Sequence, residues 1–194
     1  MRVGPPGAVL GCLLFACAAG EDAASKDKLK DTTDYYAIPG SSGPDLRAAL
    51  DRLGPKNDEG GRSDAITRWN FEYTYSVKRS PGRCALESVE TNTAITRILP
   101  RWTPPPGAPR DLVRKWDDYA TCAALHENGH RRIYLDAVAK FRERAGVIAD
   151  SAACDDVVGA LDALAREILK QLKDDQSAYE TRTDHGYAQC GHFP

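Results

Sequence analysis

The chain has no C-x-x-C pair, no basic run and no visible internal repeat. Each absence removes a class of function. Without closely spaced cysteine pairs a zinc ribbon is excluded as the organising centre. Twenty-six Lys and Arg against 28 Asp and Glu give a net charge of −2, so a phosphate backbone or an anionic membrane surface finds no electrostatic footprint. The apolar stretch from Ala8 to Phe15 is far short of the ~20 residues that span a bilayer. Low complexity is confined to "TPPPGAP", Thr103 to Pro109.

What is present fits one ordinary globular domain with a tail. Of the 194 residues, 42% are hydrophobic and 28% charged, enough to bury a single core. Residues 1–20, "MRVGPPGAVLGCLLFACAAG", pass from one Arg through an apolar stretch to small residues, the layout of an export signal. Two processing readings compete there. Ala16-Cys17-Ala18 fits small-x-small cleavage, and Leu14 to Cys17 resembles a lipobox in which Cys17 carries lipid. Residues 21–33 then read as a polar tether and 34–194 as the domain. Export, to the periplasm, the exterior or a lipid anchor in the envelope, places Cys84, Cys122, Cys154 and Cys190 in an oxidising compartment. Two disulfides follow, with three connectivities in principle.

The prolines divide the domain. Upstream, "TDYYAIPG" reads as a short strand and "SGPDLRAALDRLGP" as a helix stopped by Gly54. Trp69, Phe71, Tyr73, Tyr75 and Val77 alternate with polar residues, the period of a half-buried strand. A second strand follows across the turn Ser80 to Arg83, giving a hairpin. Downstream, Leu112, Trp116, Tyr119, Ala123, His126, His130, Ile133, Ala137 and Phe141 form a stripe at spacings of three and four, predicting a helix over about Arg110 to Ala145. A second helix is predicted over about Asp155 to Tyr179. Strands followed by helices give an α+β fold, a small antiparallel sheet packed on a long helix pair.

The chemistry concentrates in "HENGH". His126 and His130, four apart on a helix, project from one face a turn apart and can share one tetrahedral zinc. Glu127 sits off the ligand axis, where a carboxylate can take a proton from a water that the metal acidifies. H-E-x-x-H arises by chance in roughly one chain of this length in two hundred, so the pattern alone is only suggestive. Its histidines also share the apolar stripe, however, and two buried imidazoles need partners. Gly129 costs about 1 kcal/mol in a helix interior, a cost more easily borne if something passes close to that turn.

A catalytic zinc takes a third protein ligand and leaves the fourth position to water. The continuation H-x-x-G-x-x-H is absent. His185 is favoured on ligand type, with Asp184 and Glu180 as the carboxylate alternatives, and His192 reads as an exposed residue near the end. If His126 and His185 hold one metal, Cys122 and Cys190 are neighbours; the expected bridges are then Cys122–Cys190 and Cys84–Cys154. Tyr179 and Tyr187 flank the expected ligand; Tyr179 is the candidate for holding an oxyanion, against a reading as core packing.

Leu99-Pro100-Arg101-Trp102, the "WDDY" segment, "HENGH" and Tyr179, Thr183, His185 and Gly186 together resemble the bacterial predicted secreted zinc-dependent proteases, an HExGH-containing domain of unknown function. The resemblance runs from about Tyr36 to Gly186. It implies a zincin-type metallopeptidase with His126, His130 and His185 on one zinc and Glu127 as base, acting on a peptide or protein. The Cys122–Cys190 pair departs from the family pattern. The expectation is a zinc-dependent metallohydrolase, a peptidase, without nucleic-acid partners and touching membrane only through an N-terminal lipid. The alternatives are a non-catalytic zinc-binding envelope protein and an interaction module built on the aromatic strand.

Overall fold

The computed structural model of the chain describes residues 27–57, 60–191 and 193. The expected export signal, its Cys17 lipidation site and His192 lie outside these residues. The fold is α+β: strand β1 (Lys28–Ile38), helix α1 (Gly43–Leu53), strands β2 (Ile66–Ser80) and β3 (Arg83–Trp102), helices α2 (Arg110–Ala145) and α3 (Cys154–Thr183), and a short helix α4 (Tyr187–Cys190).

Local chemistry explains the boundaries. The Ser42 hydroxyl accepts from the Asp45 backbone N–H while the Asp45 carboxylate accepts from that of Ser42, a reciprocal cap with Pro44 in the first turn. Leu46, Ala49 and Leu50 turn inward from α1. β2 and β3 form the hairpin across Pro81-Gly82, and a bulge at Ser76/Val77 shifts their register. Trp69, Phe71 and Tyr73 pack beneath the helices, whereas Tyr75 is exposed, so the aromatic face ends before the bulge.

The sheet order is β1-β3-β2, and β1 runs parallel to β3, from Lys28 beside Asn92 to Ile38 beside Trp102. The sheet is therefore mixed, not the antiparallel one expected. The reason lies in the connection. β1 ends, and β2 begins, at the end of the sheet marked by Ile98 to Trp102, so α1 and its loop stay at that end and need no crossover. β1 and β2 then point in opposite directions, and β3, antiparallel to β2, is parallel to β1. β1 also begins at Lys28, so Lys28 to Thr33, expected in the polar tether, belong to the sheet.

α2 carries two cores on one stripe. Near its start Trp116 and Tyr119 join Ile38, Leu46, Leu50, Trp102 and Phe193. Trp102 is fixed there by its Nε1–H, which donates to the Gly40 carbonyl at 3.0 Å. Near its end, fully buried Phe141 meets Phe71 edge-on at 5.2 Å and Tyr73 at 5.0 Å, with Leu161 and Ile168 of α3 around it. His126 to His130 lie between these cores. Disulfides join Cys84 to Cys154 and Cys122 to Cys190. No helix among the described residues is long and apolar enough to cross a membrane, and this together with two disulfides is compatible with an exported protein.

Phe141 ties the sheet to both long helices, so Phe141→Ala should cost about 3–5 kcal/mol of stability. Denaturant unfolding with both disulfides intact measures this, and a loss under about 1 kcal/mol would mean the aromatic cluster does not hold the layers together.

Candidate metal centre

His126 and His130 are both buried, with imidazoles nearly perpendicular and centroids 4.7 Å apart. Their Nε2 atoms stand 3.1 Å from each other. What faces them is decided by the opposite ring nitrogens. Gln176 Nε2 donates to the His130 carbonyl at 3.3 Å, which turns Gln176 Oε1 onto His130 Nδ1. An amide oxygen only accepts, so His130 Nδ1 carries the proton. Gln189 Oε1 sits 3.0 Å from His126 Nδ1 and does the same there. Both Nε2 atoms are left as lone pairs pointing at one spot.

Glu180, on the last turn of α3, supplies the third group. Its Oε1 lies 3.0 Å from His130 Nε2 and its Oε2 3.7 Å from His126 Nε2. Oε2 is buried without a hydrogen-bond partner. Ligand bonds of 2.0–2.1 Å at tetrahedral angles put neighbouring ligand atoms about 3.3–3.4 Å apart. The two Nε2 atoms, at 3.1 Å, lie near that spacing, and the distances to Glu180, 3.0 Å from His130 to Oε1 and 3.7 Å from His126 to Oε2, end on its two different oxygens. A single proton on His130 bridges only one of these separations. His126, His130 and Glu180 can therefore hold a metal ion, and among the described residues they are the group with that spacing.

Glu127 is buried and lines the same cleft. The Thr67 hydroxyl, on β2, donates to its Oε2 at 2.6 Å. Burial raises the Glu127 carboxyl above the usual range, against the Thr67 bond and the charges of the two histidines. In Glu180 burial acts the same way, but the neighbouring imidazoles of His130, His126 and His185 outweigh it and hold the carboxyl below its usual value. The cleft, about 410 Å³, opens beside Glu127 and Glu180. Its far wall is stiff: Arg47 and the Tyr119 hydroxyl both donate to the Asp64 carboxylate, and the Tyr36 hydroxyl donates to the Asp64 carbonyl at 2.6 Å. Burial and the Asp64 charge push the Tyr119 hydroxyl far above its ordinary pKa, so it remains a donor.

Tyr179 stacks on His126 with centroids 5.1 Å apart, meets His130 edge-on, and donates from its hydroxyl to the His126 carbonyl at 3.1 Å. A Cβ at position 129 would overlap its ring and hydroxyl. Gly129 is thus the notch that admits Tyr179.

The structure brings together four of the five expected catalytic and metal-binding residues. His126, Glu127, His130 and Tyr179 converge. His185 does not join the ligand group; its side chain is 73% exposed and only approaches Glu180, Nδ1 to Oε2 at 3.4 Å. α3 runs to Thr183, one turn past the expected end, and so delivers Glu180; Asp184 and His185 then take left-handed conformations and turn outward. The Tyr179 hydroxyl donates to the His126 carbonyl, and its ring backs both histidines. The Cys122–Cys190 bridge forms although His185 lies outside the group of His126, His130 and Glu180, because the chain after α3 still returns onto His126. Gln176, Gln189 and Thr67 were not visible beforehand. Gln176 alone had a signal, its spacing of four before Glu180 on one helix face.

A family model described as "Bacterial protein of unknown function (DUF922)" matches residues 33–186, and the chain belongs to that family. No curated protein and no solved structure matches the chain.

The notch predicts a coupled pair of substitutions. Gly129→Ala should destabilise by about 1–3 kcal/mol through overpacking, despite alanine's better helix propensity. In a Tyr179→Ala background the same change should stabilise by up to about 1 kcal/mol. Thermal unfolding of the four proteins of this cycle tests it; additive effects would separate Gly129 from Tyr179.

Proposed function

We propose that this member of a bacterial family of unknown function is a zinc-dependent hydrolase, a peptidase, exported from the cell. The observation that carries the reading is the convergence of two imidazole Nε2 atoms and the Glu180 carboxylate, one oxygen of which has no hydrogen-bond partner, at the edge of a cleft. Imidazole and carboxylate donors suit zinc, and three protein ligands leave one position for water, the composition of a catalytic and not a structural site. When bound, zinc would polarise the scissile carbonyl and acidify a water.

The chain's own residues perform the rest. Gln176 and Gln189 keep the Nδ1 protons in place, so both Nε2 atoms stay available. Thr67 holds one oxygen of Glu127, which fixes the rotation of the carboxylate and leaves the other oxygen to exchange protons. Burial of Glu127 favours its protonated form once it has taken a proton, so it can return that proton to a leaving amine. The cleft beside Glu127, walled by Asp64 and Tyr119 on one side and by His185 and Tyr187 on the other, would receive a peptide or protein segment. The resemblance in "HENGH" and the tail favours a peptide bond over other acyl groups. The aromatic strand does not favour an interaction module, since Trp69, Phe71 and Tyr73 pack under the helices.

The purified chain should bind one zinc, measured by metal analysis after dialysis. His130→Ala and Glu180→Ala should lose it. Glu127→Gln should retain it while peptide-library cleavage falls by about 10²–10⁴-fold. Absence of zinc from the wild type would remove the centre. Equal cleavage by wild type and Glu127→Gln would remove its assigned base.

A further inference from the structure

We infer that the turn Gly186–Cys190 is a clasp that sets the metal affinity of the centre, with Gln189 as a positioning residue and the Cys122–Cys190 disulfide as its pin. The inference rests on the metal reading above and extends it to residues outside the ligand set.

The two histidines are supported unequally. His130 takes its Nδ1 partner from Gln176, on a 30-residue helix, and that amide is itself anchored by donating to the His130 carbonyl. His126 takes its partner from Gln189, an exposed residue in a four-residue helix with no buried residue of its own. A single helical turn does not hold itself in water. Three contacts hold it here. Cys190 is bonded to Cys122, which lies one turn before His126 on the same face of α2, Cα to Cα 5.3 Å. Gly186, at φ 87°, lies so close to the His126 ring that a Cβ would come within 3.3 Å of its Cγ. Phe193, just past the turn, is buried against Trp116 and Tyr119 at centroid distances of 5.4 and 5.1 Å.

The pin places Gln189 Oε1 on His126 Nδ1, and this hydrogen bond keeps the Nε2 lone pair on the metal side. The pin is also the more accessible of the two bridges: Cys122 and Cys190 are half-buried, while Cys84 and Cys154 are buried with Val157. A dithiol reductant would give two electrons and two protons to the Cys122–Cys190 bond, leaving two thiols and an oxidised, cyclic dithiol. The clasp would then be free to leave His126. The centre therefore reaches full affinity for metal only after this disulfide has formed.

The test is the zinc Kd of the full chain by competition with a chromophoric chelator, alongside circular dichroism to confirm the fold. Gln189→Ala should weaken zinc binding about 10–100-fold, and Gln189→Glu, which still accepts from Nδ1–H, should restore wild-type affinity or better. Cys122→Ala/Cys190→Ala should show a loss of the same order, and adding Gln189→Ala to it should cost little more. Unchanged affinity in Gln189→Ala overturns the inference while leaving the metal centre standing. So does a full additional loss when Gln189→Ala is added to the cysteine variant. A wild type that binds no zinc overturns both readings.

Discussion

Two imidazoles buried one helical turn apart, each with its proton held on the side away from the other, are the constraint around which the rest of the structure is arranged. Leaving such lone pairs unsatisfied costs about 1–3 kcal/mol each, and nothing on the protein donates to both. The carboxylates deepen the problem. Glu127 is almost fully buried and Glu180 is half-buried against the same rings, so two carboxyl groups crowd two imidazoles. As bare protein the centre is a liability.

The fold tolerates this liability because the middle of α2 is clamped from both ends. Trp102, Trp116 and Phe193 close one cluster, and Phe71, Tyr73 and Phe141 close the other. Between them the helix is free to carry polar residues and a glycine without fraying. Tyr179 of α3 fills the space that glycine leaves, so α3 packs closely on α2 where the histidines sit. The Leu99-Pro100-Arg101-Trp102 segment belongs to this support: Trp102 packs on Trp116, and Arg101 lies over the Tyr35 ring at 3.7 Å.

Much of this was legible in the residue pattern, for reasons that also explain where legibility stopped. The stripe from Leu112 to Phe141 gave α2 its limits at Arg110 and Ala145, since a long buried face leaves a strong 3.6-residue period. "HENGH" marked the two imidazoles, and Gly129 marked a close approach. The end of α3 was less readable. Its apolar period weakens after Leu172, and its last turn is held by Tyr179 and Thr183 in tertiary contacts, so Glu180 fell outside the expected helix. The direction of β1 carries no local signal at all, because parallel pairing depends on which end of the sheet the connection uses. Gln189 is invisible for a similar reason: an amide that orients a ring has no motif, only a position in the folded chain.

The two walls of the cleft differ in kind, and the difference gives the site its character. The Asp64 side is cross-linked by Arg47, Tyr36 and Tyr119 from three separate elements, so it moves only with the domain. The opposite side is the left-handed run from Asp184 to Gly186 and the turn that follows, a segment of chain fastened by one disulfide and one aromatic ring. The side chains that face one another come from regular elements: α2, α3 and β2 supply His126, His130 and Glu180, with Glu127 and Thr67 beside them. Chain that folds back covalently onto α2 can complete such a site without lengthening either helix. That is why the residues after α3, which add little to the core beyond Phe193, bear directly on the chemistry of His126.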